Sequence, residues 1–166
     1  MMNVNFKTTT ELLETIDKYA DVKNVKVKTE NTNWRGQKYT SDFITIDEEE
    51  TISFEVFDNE IIVFFFGDHI HFEDYTSSFD YGEYDYITRA KEFFENLFTL
   101  PIKFKFVEKG GKVIRSESFF CHSNGNEESI AGVTISFSKN PFAKKQKREE
   151  LWQFSKQLNK FEKQDC

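Results

Sequence analysis

The sequence predicts an α+β fold, a mostly antiparallel central sheet of about six to seven strands with N-terminal, middle and C-terminal helices. Three observations carry this expectation. Short segments alternate apolar and polar residues with period two, and turn residues separate them at hairpin spacing. Other segments repeat apolar residues at helical spacing and stand between groups of strands rather than alternating with single strands, which favours an antiparallel sheet over a parallel one. Finally, 20 of the 166 residues are Phe, so although hydrophobic content is only 38%, large side chains are at hand to fill a core. No repeat or linker divides the chain, and one domain over 1–166 is expected.

The elements follow in order. Thr8-Thr9-Thr10-Glu11 has the form of a capping box, with Thr8 as the cap and Glu11 three residues on, and Leu12, Ile16 and Tyr19 recur at helical spacing, so a helix is expected near 9–20. Residues 22–28 read as a strand, 30–40 as a polar loop carrying Trp34, and 43–46 as a second strand. The acidic run 47–50 reads as a turn. Thr51–Phe57 alternates, with Ile52, Phe54 and Val56 on one face, and Asp58-Asn59 turns it back into the next strand. That strand, Ile61–Phe66, is apolar on both faces and is expected in the interior of the sheet, with Gly67 marking a bulge. Residues 73–83 read as a loop and 84–98 as a helix with Ile87, Ala90, Phe94 and Leu97 on its buried stripe, stopped by Pro101. Ile102, Phe104 and Phe106 alternate with Lys103 and Lys105, and Lys109-Gly110-Gly111 turns into a strand over 112–120. A polar loop at 121–129 and a strand carrying Val133, Ile135 and Phe137 follow. Asn140-Pro141 reads as a helix start, and Leu151, Phe154, Leu158 and Phe161 as the stripe of a C-terminal helix.

Charge is unevenly distributed. The net charge is −7, yet residues 42–85 hold fourteen Asp or Glu and no Lys or Arg, while the remaining residues hold all 22 basic ones and fifteen acids. A net negative chain is a poor ligand for nucleic acid, whereas a segment of one sign can steer a basic partner. The plain alternative is a solvated acidic face. No apolar run approaches the roughly 20 residues of a membrane span, no signal segment is evident at the N-terminus, and two cysteines make no disulfide framework, so a cytoplasmic protein without a membrane partner is expected.

The stretch FGDHIHFEDYTSSFDYGEYDY, residues 66–86, concentrates the candidates. If the strand continued straight through Gly67, His69 and His71 would share a face with Val63 and Phe65, and Asp68 would point the other way. A catalytic metal needs about three protein ligands. The histidine pair lacks an organised third, so no metal and no cofactor is expected. No nucleophile elbow, phosphate loop or Cys–His pair with a recognisable context is present, and no catalytic residue is assigned. The alternative enzyme reading is a small metal- or acid–base-dependent enzyme using His69 and His71, with His69 and Asp68 or Glu73 as the acid–base pair. The interaction reading draws on Tyr75, Tyr81 and Tyr84 interleaved with Asp74, Asp80 and Glu83, because tyrosine supplies rigid contact area and neighbouring carboxylates pair with basic groups. Trp34 is a candidate second anchor.

The run IIVFFFGDHIHFEDY resembles a pattern in small cytoplasmic bacterial immunity proteins encoded beside polymorphic toxins. There a hydrophobic strand leads into an aromatic, an acid or turn, and then H-x-HF. The matching residues are Val63, Phe64, Phe66, Asp68, His69, His71 and Phe72, and the helix and strands from Ala90 to Ser116 are also similar. The resemblance implies a non-enzymatic inhibitor that binds a cognate toxin domain, a nuclease among the options, through acidic surface. The partner-binding candidates are then Trp34, Asp68, His69, His71, Glu73, Asp74, Tyr75, Asp80, Tyr81, Glu83 and Tyr84, and the expected partner is a basic protein toxin. A non-catalytic adaptor or nucleic-acid mimic is the remaining alternative. The sequence does not indicate an oligomeric state.

Overall fold

The computed structural model describes residues 4–23, 25–34, 37–46, 51–73, 86–130, 134–136 and 142–165. The fold is α+β, with two antiparallel sheets and, among the described residues, two helices. The chain divides into two compact units, one of residues 1–95 with 156–160 and one of 96–155 with 161–166.

In the first unit helix α1 (Val4–Ile16) precedes strands β1 (Lys26–Trp34), β2 (Gln37–Thr45), β3 (Ile52–Val56), β4 (Glu60–Phe65) and β5 (Asp68–Glu73), which form a sheet in simple chain order. Helix α2 (Tyr86–Thr99) follows. Every strand pair in this sheet is antiparallel, as consecutive hairpins require. One face of the sheet is the core. Ile44, Ile52, Phe54, Val56, Ile61, Val63 and Phe65 are fully buried there with Leu12 and Ile16 of α1 and Phe94 of α2. Phe54 meets Phe94 edge-on at 5.3 Å between centroids, Phe72 meets Phe93 tilted at 5.5 Å, and Phe93 meets Phe65 edge-on at 5.6 Å. Such edge contacts add roughly 0.5–1.5 kcal/mol each beyond area burial. Asp42 is also buried on this side, where it accepts hydrogen bonds from Thr29 Oγ1 at 2.8 Å and Thr9 Oγ1 at 3.4 Å. The helices are tied by Lys91 Nζ to Glu11 Oε2 at 2.7 Å.

The second unit is a sheet in the order β11-β10-β6-β7-β8, from β6 (Ile102–Lys109), β7 (Lys112–Cys121), β8 (Glu127–Ser129), β10 (Lys145–Ser155) and β11 (Lys160–Gln164), with the short β9 (Thr134–Ile135) also pairing with β7. Phe98 packs edge-on against Phe154 at 4.8 Å, and Phe154 against Phe161 at 5.2 Å. Elsewhere on β6, Lys103 and Lys105 both bond Glu127, and their ammonium groups, Lys103 first, hold its carboxyl below the ordinary range. Arg148 lies over the Phe106 ring at 4.3 Å.

Several expectations are corrected. The first helix spans Val4–Ile16, so Thr8 lies inside it rather than capping it, and Tyr19 follows its end in a turn. Residues 30–34 and 37–40 are strand and not loop, because β1 and β2 pair antiparallel from Lys26↔Thr45 to Trp34↔Gln37. A single sheet of six to seven strands is instead two sheets. The expected C-terminal helix is the β10–β11 hairpin. Phe154 and Phe161 are seven apart, which suits two helical turns equally with a cross-strand contact around a tight turn, and pairing of β10 along β6 from Lys145↔Lys109 to Trp152↔Ile102 decides for the strand. Part of the expected polar loop at 121–129 adds β8 to the edge of β7. The acidic turn 47–50, Val133 and Phe137 lie outside the described residues.

Candidate functional site

The hairpin between β4 and β5 sets the geometry of the site. Phe66 and Gly67 both have positive φ, 50° and 79°, so they form a two-residue turn of the kind that matches strand twist, and not a bulge. The register is Phe65↔Asp68, Phe64↔His69, Val63↔Ile70, Ile62↔His71, Ile61↔Phe72 and Glu60↔Glu73. Two turn residues shift the parity of the chain. The odd positions 61, 63 and 65 and the even positions 68, 70 and 72 share the core face, and His69 and His71 share the opposite face with Ile62 and Phe64. A strand continuing through Gly67 would have put the histidines with Val63 and Phe65; the turn reverses that assignment. Asp68 does lie on the face away from the histidines, and its Oδ1 accepts a hydrogen bond from the backbone N–H of His69 at 2.8 Å.

The pairing carries this second face across the sheet. On it lie Ser41, Phe43 and Thr45 of β2, Ser53 and Glu55 of β3, Glu60, Ile62 and Phe64 of β4, and His69, His71 and Glu73 of β5. A row of rings crosses the strands: Phe43 to Phe64 at 6.0 Å, Phe64 to His69 at 6.0 Å, and His69 to His71 at 5.1 Å. Ser53, the residue opposite Phe64, is small and buried. Phe43, Ile62 and Phe64 are half-buried, while His69 and His71 are exposed. Acids surround the row. Glu55 accepts a hydrogen bond from Ser41 Oγ at 2.5 Å, and Glu60 Oε1 lies 2.5 Å from His71 Nδ1. β3, β4 and β5 contain no Lys or Arg, whereas β1 places Lys26 and Lys28 opposite Thr45 and Phe43, with Lys28 paired to Glu30 at 2.6 Å. Among the described residues of these strands the face is therefore acidic and aromatic toward β5, with Lys26 and Lys28 of β1 at its other side.

The structure thus brings together His69, His71 and Glu73 among the sequence candidates and sets Asp68 apart from them. Trp34 ends β1, opposite Gln37. Asp74, Tyr75, Asp80, Tyr81, Glu83 and Tyr84 lie outside the described residues. The sequence reading missed Phe43, Glu55, Glu60, Ile62 and Phe64. Their signal was the slip in alternation at Gly67, from odd to even apolar positions, which marks a two-residue hairpin and pairs Glu60 with Glu73. Glu60, His71 and Glu73 offer donor atoms that all lie within 4.8 Å of one another. Among the described residues no helix is long and apolar enough to cross a membrane. Comparison with known proteins found no matching family model, no matching curated protein and no matching solved structure.

Proposed function

We propose that this chain is an immunity-type inhibitor that occludes the active site of a basic toxin domain with the ring-bearing face of its first sheet. One observation carries the reading. Three adjacent strands without a basic residue present Glu55, Glu60 and Glu73 around Phe43, Ile62, Phe64 and the two histidines. Half-buried rings give a binding face rigid apolar area, and the carboxylates around them pair with Lys or Arg on the partner. A nuclease cleft suits this face, because the carboxylates would stand where substrate phosphates bind. The resemblance of the His69–Phe72 stretch to immunity proteins points the same way.

The test is a binding titration against the toxin-domain product of the adjacent gene, comparing Glu55→Lys with Glu92→Lys. Glu92 is an exposed residue of α2, so both substitutions change net charge equally but only Glu55 belongs to the face. Loss of a desolvated pair costs about 2–5 kcal/mol, and a rim charge costs little. The expected result is a large loss of affinity for Glu55→Lys, near-native affinity for Glu92→Lys, and slower wild-type association as added salt shortens the range of the acidic field to about 8 Å or less. Equal affinities for two folded variants would reject this face as the interface.

A further inference from the structure

We infer that Glu60, His71 and Glu73 form a divalent transition-metal site on the β4–β5 hairpin, with one imidazole and two carboxylates as ligands and zinc as the best-suited ion. The inference does not depend on the inhibitor reading, since it concerns this chain alone; with an ion between Glu60 and Glu73, Glu55 is the carboxylate of the face that meets a basic partner. It starts from register. Glu60 and Glu73 are directly opposite on the outer pair of strands, and His71 lies two residues from Glu73 on the same face. Like charges directly opposite on a strand pair repel; β3, β4 and β5 themselves carry no Lys or Arg, while Arg89 of α2 donates a hydrogen bond to the Glu73 backbone carbonyl at 2.8 Å. A cation held between the two carboxylates removes that repulsion.

The geometry suits an ion. Ligand oxygens and nitrogens around tetrahedral zinc lie at about 2.0–2.2 Å from the metal, hence roughly 3.4 Å from one another. All three donor atoms here lie within 4.8 Å of one another, and Glu60 Oε1 and His71 Nδ1 are 2.5 Å apart. An ion taking the place of the proton between those two atoms requires them to separate by about an ångström while Glu73 closes in by rotation about its side-chain bonds. The ligands come from two strands joined by a two-residue turn, so their backbones are already fixed relative to each other. His71 is exposed and Glu60 and Glu73 half-buried, which leaves an open side for water or for a ligand atom from another molecule. The imidazole favours zinc and its first-row neighbours over magnesium and calcium, which prefer all-oxygen sets. His69 is next to His71 by ring contact but is not one of the three donors. In the second unit, His122 pairs with Glu128 at 2.8 Å, and among the described residues no third donor completes a set there.

The experiment is isothermal titration of the untagged, metal-stripped chain with zinc chloride, under reducing conditions, and in parallel with magnesium chloride. The wild type is expected to take up one zinc per chain and to show no saturable magnesium binding in the same range. His71→Ala and Glu73→Gln are expected to weaken zinc binding at least tenfold, while His69→Ala and His122→Ala retain it. Circular dichroism of each variant keeps loss of the site separate from loss of the fold, and Glu73→Gln, an isosteric change on an edge strand, serves where His71→Ala does not fold. A chemical-shift change of the His71 ring on adding zinc gives a second readout. Absence of saturable zinc binding, retention of it in folded His71→Ala, or its loss in a Cys121→Ser variant instead would overturn the assignment.

Discussion

Phe64 and Phe65 are neighbours in sequence and opposites in the fold, so truncating each to Ala tests the face assignment on which the site rests. Phe65 is fully buried and meets Phe93 edge-on at 5.6 Å. Phe65→Ala removes a ring from an enclosed core, and both the lost transfer energy and the cavity count, which together amount to about 3–5 kcal/mol. Phe64 is half-buried on the other face, beside Phe43 and His69. Water can enter where its ring stood, so no closed cavity forms. About half of the ~1.5–3 kcal/mol for a fully buried apolar side chain is at stake, or about 1 kcal/mol. Urea unfolding followed by far-UV circular dichroism measures both, and the midpoints should differ by the equivalent of about 2–4 kcal/mol at unchanged slope. On the proposed inhibitor reading, the same Phe64→Ala variant should bind the toxin domain more weakly than wild type. Equal destabilisation by the two substitutions would mean that both faces of β4 are enclosed, and the ring row could not then serve as a binding surface.

Gly67 has φ of +79° and nothing within 4 Å of an added Cβ, so Gly67→Ala is expected to cost about 1–2 kcal/mol by backbone strain alone, with Gly67→Asn cheaper, as read by the same urea midpoints. On β10, Glu150 is held below its ordinary pKa of 4.5, first by the hydrogen bond from the Lys163 ammonium at 2.9 Å, then by the indole N–H of Trp152 at 3.0 Å and by the Arg148 charge, while partial burial opposes. A depressed carboxyl contributes stability that is complete above its unfolded pKa and is lost as pH falls through the folded one. Wild type should therefore be more stable than Glu150→Gln by a constant margin above about pH 5, and the margin should shrink progressively below about pH 4.5, in urea unfolding across that range.

Local pattern determined much of this protein. The α+β class, the alternation of Ile52, Phe54 and Val56, the Asp58-Asn59 turn and the interior position of β4 between β3 and β5 were all legible, because each follows from period-two burial and turn chemistry within a few residues. The buried stripe of α2 was legible for the same kind of reason, with Ala90, Phe94 and Leu97 enclosed as their helical spacing demands, while Ile87 near its start is half-buried. Where two structures satisfy one pattern, the chain by itself did not choose. Leu151, Phe154, Leu158 and Phe161 fit a helix, and only the chance to pair with β6 along its length makes β10 a strand and leaves Leu158 exposed in a turn. Polar β1 and β2 carry weak strand signals and are strands because they pair with each other.

The candidate site divides along the same line. That residues 68–73 are candidates was visible in their composition, since histidines and carboxylates are concentrated there. Which face they occupy depended on a two-residue turn at Phe66-Gly67, with a bulky Phe at a positive φ that composition alone does not suggest. That turn places Glu60, eleven residues before His71, within 2.5 Å of it, and sets Glu73 across from Glu60. Sequence determined the chemistry of these groups; the strand register, a property of paired backbones and not of any one segment, decided that they meet.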